Sequence, residues 1–145
     1  MSNEPIVIYY AEDDEEDRTM FRDCLEEIGA EVKLVEFNNG IQLLNHLNSK
    51  YKPSVPCIIV SDFKMPVMDG PELLKNLKKH EIYKAIPVIM LSTSSNEFDR
   101  NICLELGARA FFTKPNTLNQ IRATVREIIS ICYDMNGKPL AAVSR

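Results

Sequence analysis

Reactive side chains stand directly behind several short apolar runs in this 145-residue sequence. Glu12, Asp13 and Asp14 follow "PIVIYYA", Asp62 follows "CIIVS", Ser92 closes "PVIMLS", and Lys114 follows "RAFFT". Carboxylates gathered in one crevice repel one another and resist ionisation unless a cation joins them. Oxygen-only donors favour a hard ion, and an incomplete cage with room for water and phosphate favours Mg2+ over Ca2+. Beside such a cage Lys114 is a compact positive charge able to hold a phosphoryl oxygen. Ser92 can donate a hydrogen bond to another. One of the carboxylates could itself be the nucleophile, because aspartate can form an acyl phosphate. Phosphoryl transfer asks mostly for positioning and charge neutralisation, and this set supplies both.

These residues meet only if the apolar runs are neighbouring strands with their carboxyl ends on one rim. Residues 5–11 and 57–61 are continuous apolar runs, as in strands buried on both faces. Residues 87–92 and 109–113 read as two more strands, and 31–37 alternates like an edge strand. Between them lie segments of helical period. Met20, Phe21, Cys24, Leu25 and Ile28 form one stripe in residues 14–28, stopped by Gly29. Ile41, Leu44 and Leu47 mark a second helix. Residues 70–79 form a third, with Pro71 in its first turn and Leu73, Leu74 and Leu77 inward. A fourth spans 96–106 and ends at Gly107, and a fifth spans 117–132. Five strand–helix repeats with right-handed crossovers predict an α/β fold: a three-layer, doubly wound, flavodoxin-like sandwich with parallel strand order 2-1-3-4-5. In such a sheet, ligands bind beyond the carboxyl ends of the strands, near the reversal of strand order between strands one and three.

Composition narrows the partners. The 17 basic and 21 acidic residues leave a net charge of −4 without a basic cluster, so neither nucleic acid nor an anionic membrane is expected. Cys24, Cys57, Cys103 and Cys132 are widely spaced among apolar residues and read as reduced core thiols. With no signal peptide and no membrane span in the pattern, a soluble cytoplasmic protein is expected. Residues 5–132 are expected to form one domain, and 133–145 a tail too short for an output domain.

"AEDDEEDR", "VSDFKMPVMDG", "PVIMLSTS" and "FFTKP" together resemble, in order and spacing, the response-regulator receiver domain of two-component signalling. The resemblance extends over residues 5–132 and implies specific roles. Asp62 matches the phosphoacceptor. Asp13 would bind Mg2+ directly, Glu12 through water, and the Lys64 backbone carbonyl would complete the protein's share of the metal shell. Ser92 matches the hydroxyl that turns toward the phosphoryl group, and Lys114 the lysine that contacts it. The Lys114–Pro115 bond resembles one that is usually cis. Phe111 stands at the switch position held by Tyr or Phe; lacking a hydroxyl, it can change rotamer but cannot hydrogen-bond to a partner. Lys64 and Ser94 match the positions that set phosphoryl lifetime, and with no clear general base there, slow autodephosphorylation is expected. The implied partners are a histidine kinase or a phosphotransfer protein. Downstream, a target or a second copy would bind the face of the fourth helix, fifth strand and fifth helix. The loop before the third strand and "STSSNEFD" resemble a stand-alone subgroup that includes regulators paired with phytochrome-type histidine kinases.

Other features read more plainly. Glu15, Glu16 and Asp17 suit a solvated helix start, Asp14 a helix cap, and Asp69 with Gly70 a turn before a helix. His46 and His80 are expected on the surface. Phe111 and Phe112 should alternate, one toward the core and one toward the surface. Two rival functions remain. A phosphohydrolase working through an aspartyl phosphate would need a second acid two residues after the nucleophile, where Lys64 stands. A binding module that had lost phosphorylation is disfavoured by the complete set of Glu12, Asp13, Asp62, Ser92 and Lys114.

Overall fold

A computed structural model describes residues 5–135 of the chain. Its elements alternate as expected: β1 (Ile6–Ala11), α1 (Glu15–Ile28), β2 (Val32–Phe37), α2 (Gly40–Lys50), β3 (Cys57–Asp62), α3 (Gly70–Lys79), a 3-10 turn (Tyr83–Ala85), β4 (Val88–Ser92), α4 (Glu97–Glu105), β5 (Ala110–Thr113) and α5 (Leu118–Met135). The strands pair in parallel in the order β2-β1-β3-β4-β5. β2 is only half-buried, as an edge should be, whereas β1, β3 and β4 are buried throughout.

Alternation along the strands divides the core in two. Ile6, Ile8, Tyr10, Ile58, Val60, Ile89 and Leu91 pack against α1 and α5. Val7, Tyr9, Ala11, Ile59, Val88, Met90 and Phe111 pack against α2 and α3. Continuing the same two-residue period past the strand ends puts Glu12, Asp62 and Lys114 on the α1/α5 side and Ser92 on the other. The site thus inherits its geometry from the sheet.

Helices α1 to α4 begin on side-chain caps. Asp14, Asn39, Asp69 and Asn96 accept bonds from the backbone N–H groups of Asp17, Gln42, Glu72 and Phe98. α1 stops at Gly29, whose φ of 74° is the left-handed conformation that glycine adopts without a Cβ penalty. Three expectations change in detail. The inward residues of α2 are Leu43 and Leu47, with Leu44 half-buried and Ile41 exposed, because the Asn39 cap and the contact of Gly40 with Met68 set its rotation. Met20 lies at the rim of the α1 stripe, partly in solvent. Helix α5 runs past Cys132 because Tyr133 is fully buried and its hydroxyl accepts a bond from Glu31 N–H at 2.9 Å. The rest of the expected tail, 136–145, lies outside the described residues. None of the helices among the described residues is long and apolar enough to cross a membrane.

The start of α3 is pressed onto the end of β3. Gly70 N–H donates to Phe63 O at 2.9 Å, and a Cβ on Gly70 would stand 2.3 Å from Met90 Cε and 2.6 Å from Asp62 O. Met90 could turn away, but the strand backbone cannot. Gly70→Ala is therefore expected to destabilise the fold by about 1–3 kcal/mol, the usual cost of overpacking. Gly40→Ala, whose nearest atoms belong to the flexible Met68 side chain, should cost less. Denaturant midpoints of the two variants check the order.

Candidate functional site

β1 delivers Glu12 to the rim with no exposure at all. Its backbone is fixed on both sides: Glu12 N–H donates to Phe37 O at 3.0 Å, and Glu12 O accepts from Arg18 Nη1 at 2.7 Å. One carboxylate oxygen accepts from Asp14 N–H at 3.0 Å, and the other pairs with Lys114 Nζ. β3 delivers Asp62, 6% exposed, with Oδ1 accepting from Phe63 N–H at 2.9 Å. Lys114, one residue beyond β5, reaches between them. Its Nζ lies 3.4 Å from Asp62 Oδ1. Exposed Asp13 completes the group: one oxygen each from Glu12, Asp13 and Asp62 lie within 4.8 Å of one another.

The electrostatics follow from burial. Desolvation pushes the Glu12 carboxyl up to about 7, opposed by its bond to Lys114 and reinforced by the facing Asp62. Asp62 is raised by burial in the same way, with Lys114 opposing. For Lys114, burial alone would lower the ammonium's value, but hydrogen bonds to Glu12 and Asp17 and the charge of Asp62 outweigh it and hold it above the usual lysine range. Tyr10, stacked on Phe21 at 4.3 Å beneath the site, is raised by burial and then by the carboxylates above it. A hard divalent cation fits this donor set: three clustered carboxylate oxygens, one of them on the exposed residue Asp13, so the cluster is open to solvent.

The remaining site residues sit around this cluster. Lys64 is exposed and lines a shallow hollow with Asp13, Met65, Pro66 and Asp69. The loop there bends sharply at Val67, whose φ of 71° and the 2.8 Å bond from Met68 N–H to Pro66 O make a strained three-residue turn. Ser92 is 3% exposed, next in the strand to Leu91, the register partner of Asp62. Its Oγ accepts from Ser94 N–H at 3.1 Å, and Ser94 Oγ in turn accepts from Asn96 N–H at 3.0 Å. Both hydroxyls therefore shape the turn into α4, and neither is hydrogen-bonded to Asp62.

Phe111 is the inward member of its pair, 5% exposed and edge-on to Phe63 at 6.4 Å. Phe112 points the other way, as expected, but is only partly at the surface, half-buried against the α1/α5 core. All described peptide bonds are trans, Lys114–Pro115 included, although the bond it resembles is usually cis. His46 and His80 are half-buried rather than bland surface residues. His46 packs on Tyr9 and Phe37, and His80 stacks on Tyr83 while accepting from Ile82 N–H at 3.1 Å.

One residue that the sequence assigned to a solvated helix start is only half in solvent and also meets the site. Asp17 Oδ2 lies 2.9 Å from Lys114 Nζ. The available signal was its place in the first turn of α1, three residues after the Asp14 cap and four after Asp13.

Lys114 is the cation that compensates Glu12, whose side chain is 1% exposed. Lys114→Met is expected to cost roughly 3 kcal/mol, because breaking a buried pair strands its partner. A divalent cation should restore part of that loss. The rise in melting temperature on adding Mg2+ is then larger for Lys114→Met than for the unmodified protein, and equal rises would contradict this account of the site.

Comparisons with known proteins agree with this geometry. The family model described as the response regulator receiver domain matches residues 8–126. Response regulator Rcp1 of Synechocystis sp. is 30% identical over 143 residues, covering 97% of this chain and 97% of Rcp1. The alkaline phosphatase synthesis transcriptional regulatory protein PhoP of Bacillus subtilis is 31% identical over 122 residues, 84% of this chain but 48% of PhoP. The Mn2+-bound structure of Rcp1 superposes with a TM-score of 0.76 at 29% identity, covering 87% of this chain and 93% of that one. The phosphorylated cyanobacterial phytochrome response regulator RcpA gives 0.75 at 29% identity, over 84% and 89%. A buried glutamate and the aspartate ending the third strand, flanking one lysine with exposed Asp13 beside them on a sheet of this order, accord with those matches: the chain belongs to the response regulator receiver domain family.

Proposed function

We propose that Asp62 is the phosphoacceptor of a single-domain response regulator, supplied by phosphohistidine of a histidine kinase or phosphotransfer protein. The observation that carries the reading is Lys114, bonded to Glu12 and 3.4 Å from Asp62, beside the oxygen cluster that includes Asp13. An Asp62 oxygen attacks phosphorus, the P–N bond breaks, and the imidazole leaves with its bonding electron pair and takes up a proton. Bound Mg2+, held by Glu12, Asp13, Asp62 and the Lys64 carbonyl, would neutralise charge on the transferred group. Lys114 would hold one phosphoryl oxygen and Ser92 another once its hydroxyl turns from the Ser94 N–H.

The site reaches an output surface through Phe111. The Phe111 carbonyl accepts from Arg100 Nη1 of α4 at 3.2 Å, and Phe98 on the same helix is 69% exposed. Leu104 and Leu118 are also partly exposed. This apolar exposure supports contact with a target protein or a second copy over the α4–β5–α5 face. A cytoplasmic location and pairing with a phytochrome-type histidine kinase belong to the same reading, the latter by likeness to RcpA. The unbroken alternation from β1 to α5 supports a single domain over 5–132, with α5 running on to Met135.

Intact mass after incubation with a small-molecule phosphodonor tests the reading. One Mg2+-dependent phosphoryl adduct is expected, absent from Asp62→Asn and abolished by chelation. Turnover of the donor without an adduct would instead indicate a hydrolase. Because exposed Lys64 and the turn-bound Ser94 offer no general base to a water, the adduct should decay over minutes to hours; loss within seconds at neutral pH would contradict their assigned roles.

A further inference from the structure

Lys114 carries three N–H donors and faces three carboxylates. Its Nζ is bonded to Glu12, lies 2.9 Å from Asp17 Oδ2, and lies 3.4 Å from Asp62 Oδ1. Two of its donors are taken by Glu12 and Asp17, and the third faces Asp62 from 3.4 Å, too far for a strong bond, so moving the ammonium onto a phosphoryl oxygen on Asp62 stretches one of those two bonds. The three acceptors are not equivalent. Side-chain exposure is 1% for Glu12 and 9% for Asp62, and a buried carboxylate deprived of its cation is costly. The Asp17 side chain is 41% exposed, so water can replace the ammonium there.

Asp17 is nevertheless held in place. It lies in the first turn of α1, where its N–H donates to Asp14 Oδ1 at 3.1 Å. The next turn is fastened to the sheet by the Tyr10–Phe21 stack and by Arg22, which pairs with Glu36 through two bonds of 2.8 and 2.9 Å. The carboxylate is thus a fixed competitor for Lys114, not a drifting surface charge.

Resting on Asp62 as the phosphoacceptor, we infer that Asp17 is a positioning residue: it retains Lys114 in the unphosphorylated arrangement and is the partner released when a phosphoryl group arrives. The pair therefore biases the equilibrium toward the resting state by the strength of one half-exposed ion pair. Removing Asp17 favours the phosphoryl-bound arrangement, and it does so only through Lys114.

Titration with beryllium trifluoride, a phosphoryl mimic, at saturating Mg2+ and followed by amide NMR tests this. Asp17→Asn is expected to tighten binding about two- to fivefold, the range of an exposed pair, while Asp17→Glu stays close to the unmodified protein. In a Lys114→Met background, Asp17→Asn should bring no gain. Unchanged or weaker binding by Asp17→Asn overturns the inference. An equal gain without Lys114 also overturns it, since the effect would then belong to local charge alone. If the unmodified protein shows no binding that Asp62→Asn abolishes, the phosphoacceptor reading itself fails, an outcome distinct from the other two.

Discussion

One ammonium held among carboxylates organises this molecule. Lys114 meets Glu12, Asp17 and Asp62 at the carboxyl rim of the sheet. Neither Glu12 nor Asp62 could be buried there alone, since desolvation raises both and each faces the other's charge. The lysine offsets that cost without removing it. The site is left short of positive charge, which is the condition under which a divalent cation is bound strongly and a phosphoryl group can be accepted beside it. Geometry that would be a liability in a purely structural core is, at this rim, the source of reactivity.

The sheet makes the arrangement possible at low entropic cost. Glu12, Asp62 and Lys114 are remote in sequence, yet all three lie on the α1/α5 side because the alternation of β1, β3 and β5 puts them there. Parallel pairing sets the strand ends level. The buried strands below hold them rigidly, as packing to native density allows little sliding. Gly70 lets α3 close against the end of β3, where a Cβ would meet the Asp62 carbonyl oxygen.

That much was legible in the sequence because buried parallel strands read as unbroken apolar runs, and the polar residue ending each run has nowhere to go but the rim. Asp17 was not. Among Glu15, Glu16 and Asp17, all similar in type, which one meets Lys114 depends on the rotation of α1, and that is set by Phe21 on Tyr10 and by Arg22 on Glu36. Helix α2 failed to declare its face for a like reason: Ile41, Leu43, Leu44 and Leu47 allow two stripes, and its cap and the Met68 contact chose between them. Phe112 looked like a surface residue on a terminal strand, but it packs partly against the α1/α5 core. In each case local pattern was ambiguous and tertiary packing decided.

The contacts around Asp62 also suggest how a change there would be felt at a distance. Phe63 N–H is hydrogen-bonded both to Asp62 Oδ1 and to Leu91 O, and the Phe63 ring leans on Phe111. Phe111 in turn is tied through its carbonyl to Arg100 of α4. On the other branch, Lys114 N–H is bonded to Ser92 O, and Ser92 Oγ holds the turn that begins α4 through Ser94 N–H. Two routes therefore leave the same carboxylate and converge on one helix. Any movement of Ser92 Oγ or of the Lys114 backbone would thus break contacts on which the start of α4 depends.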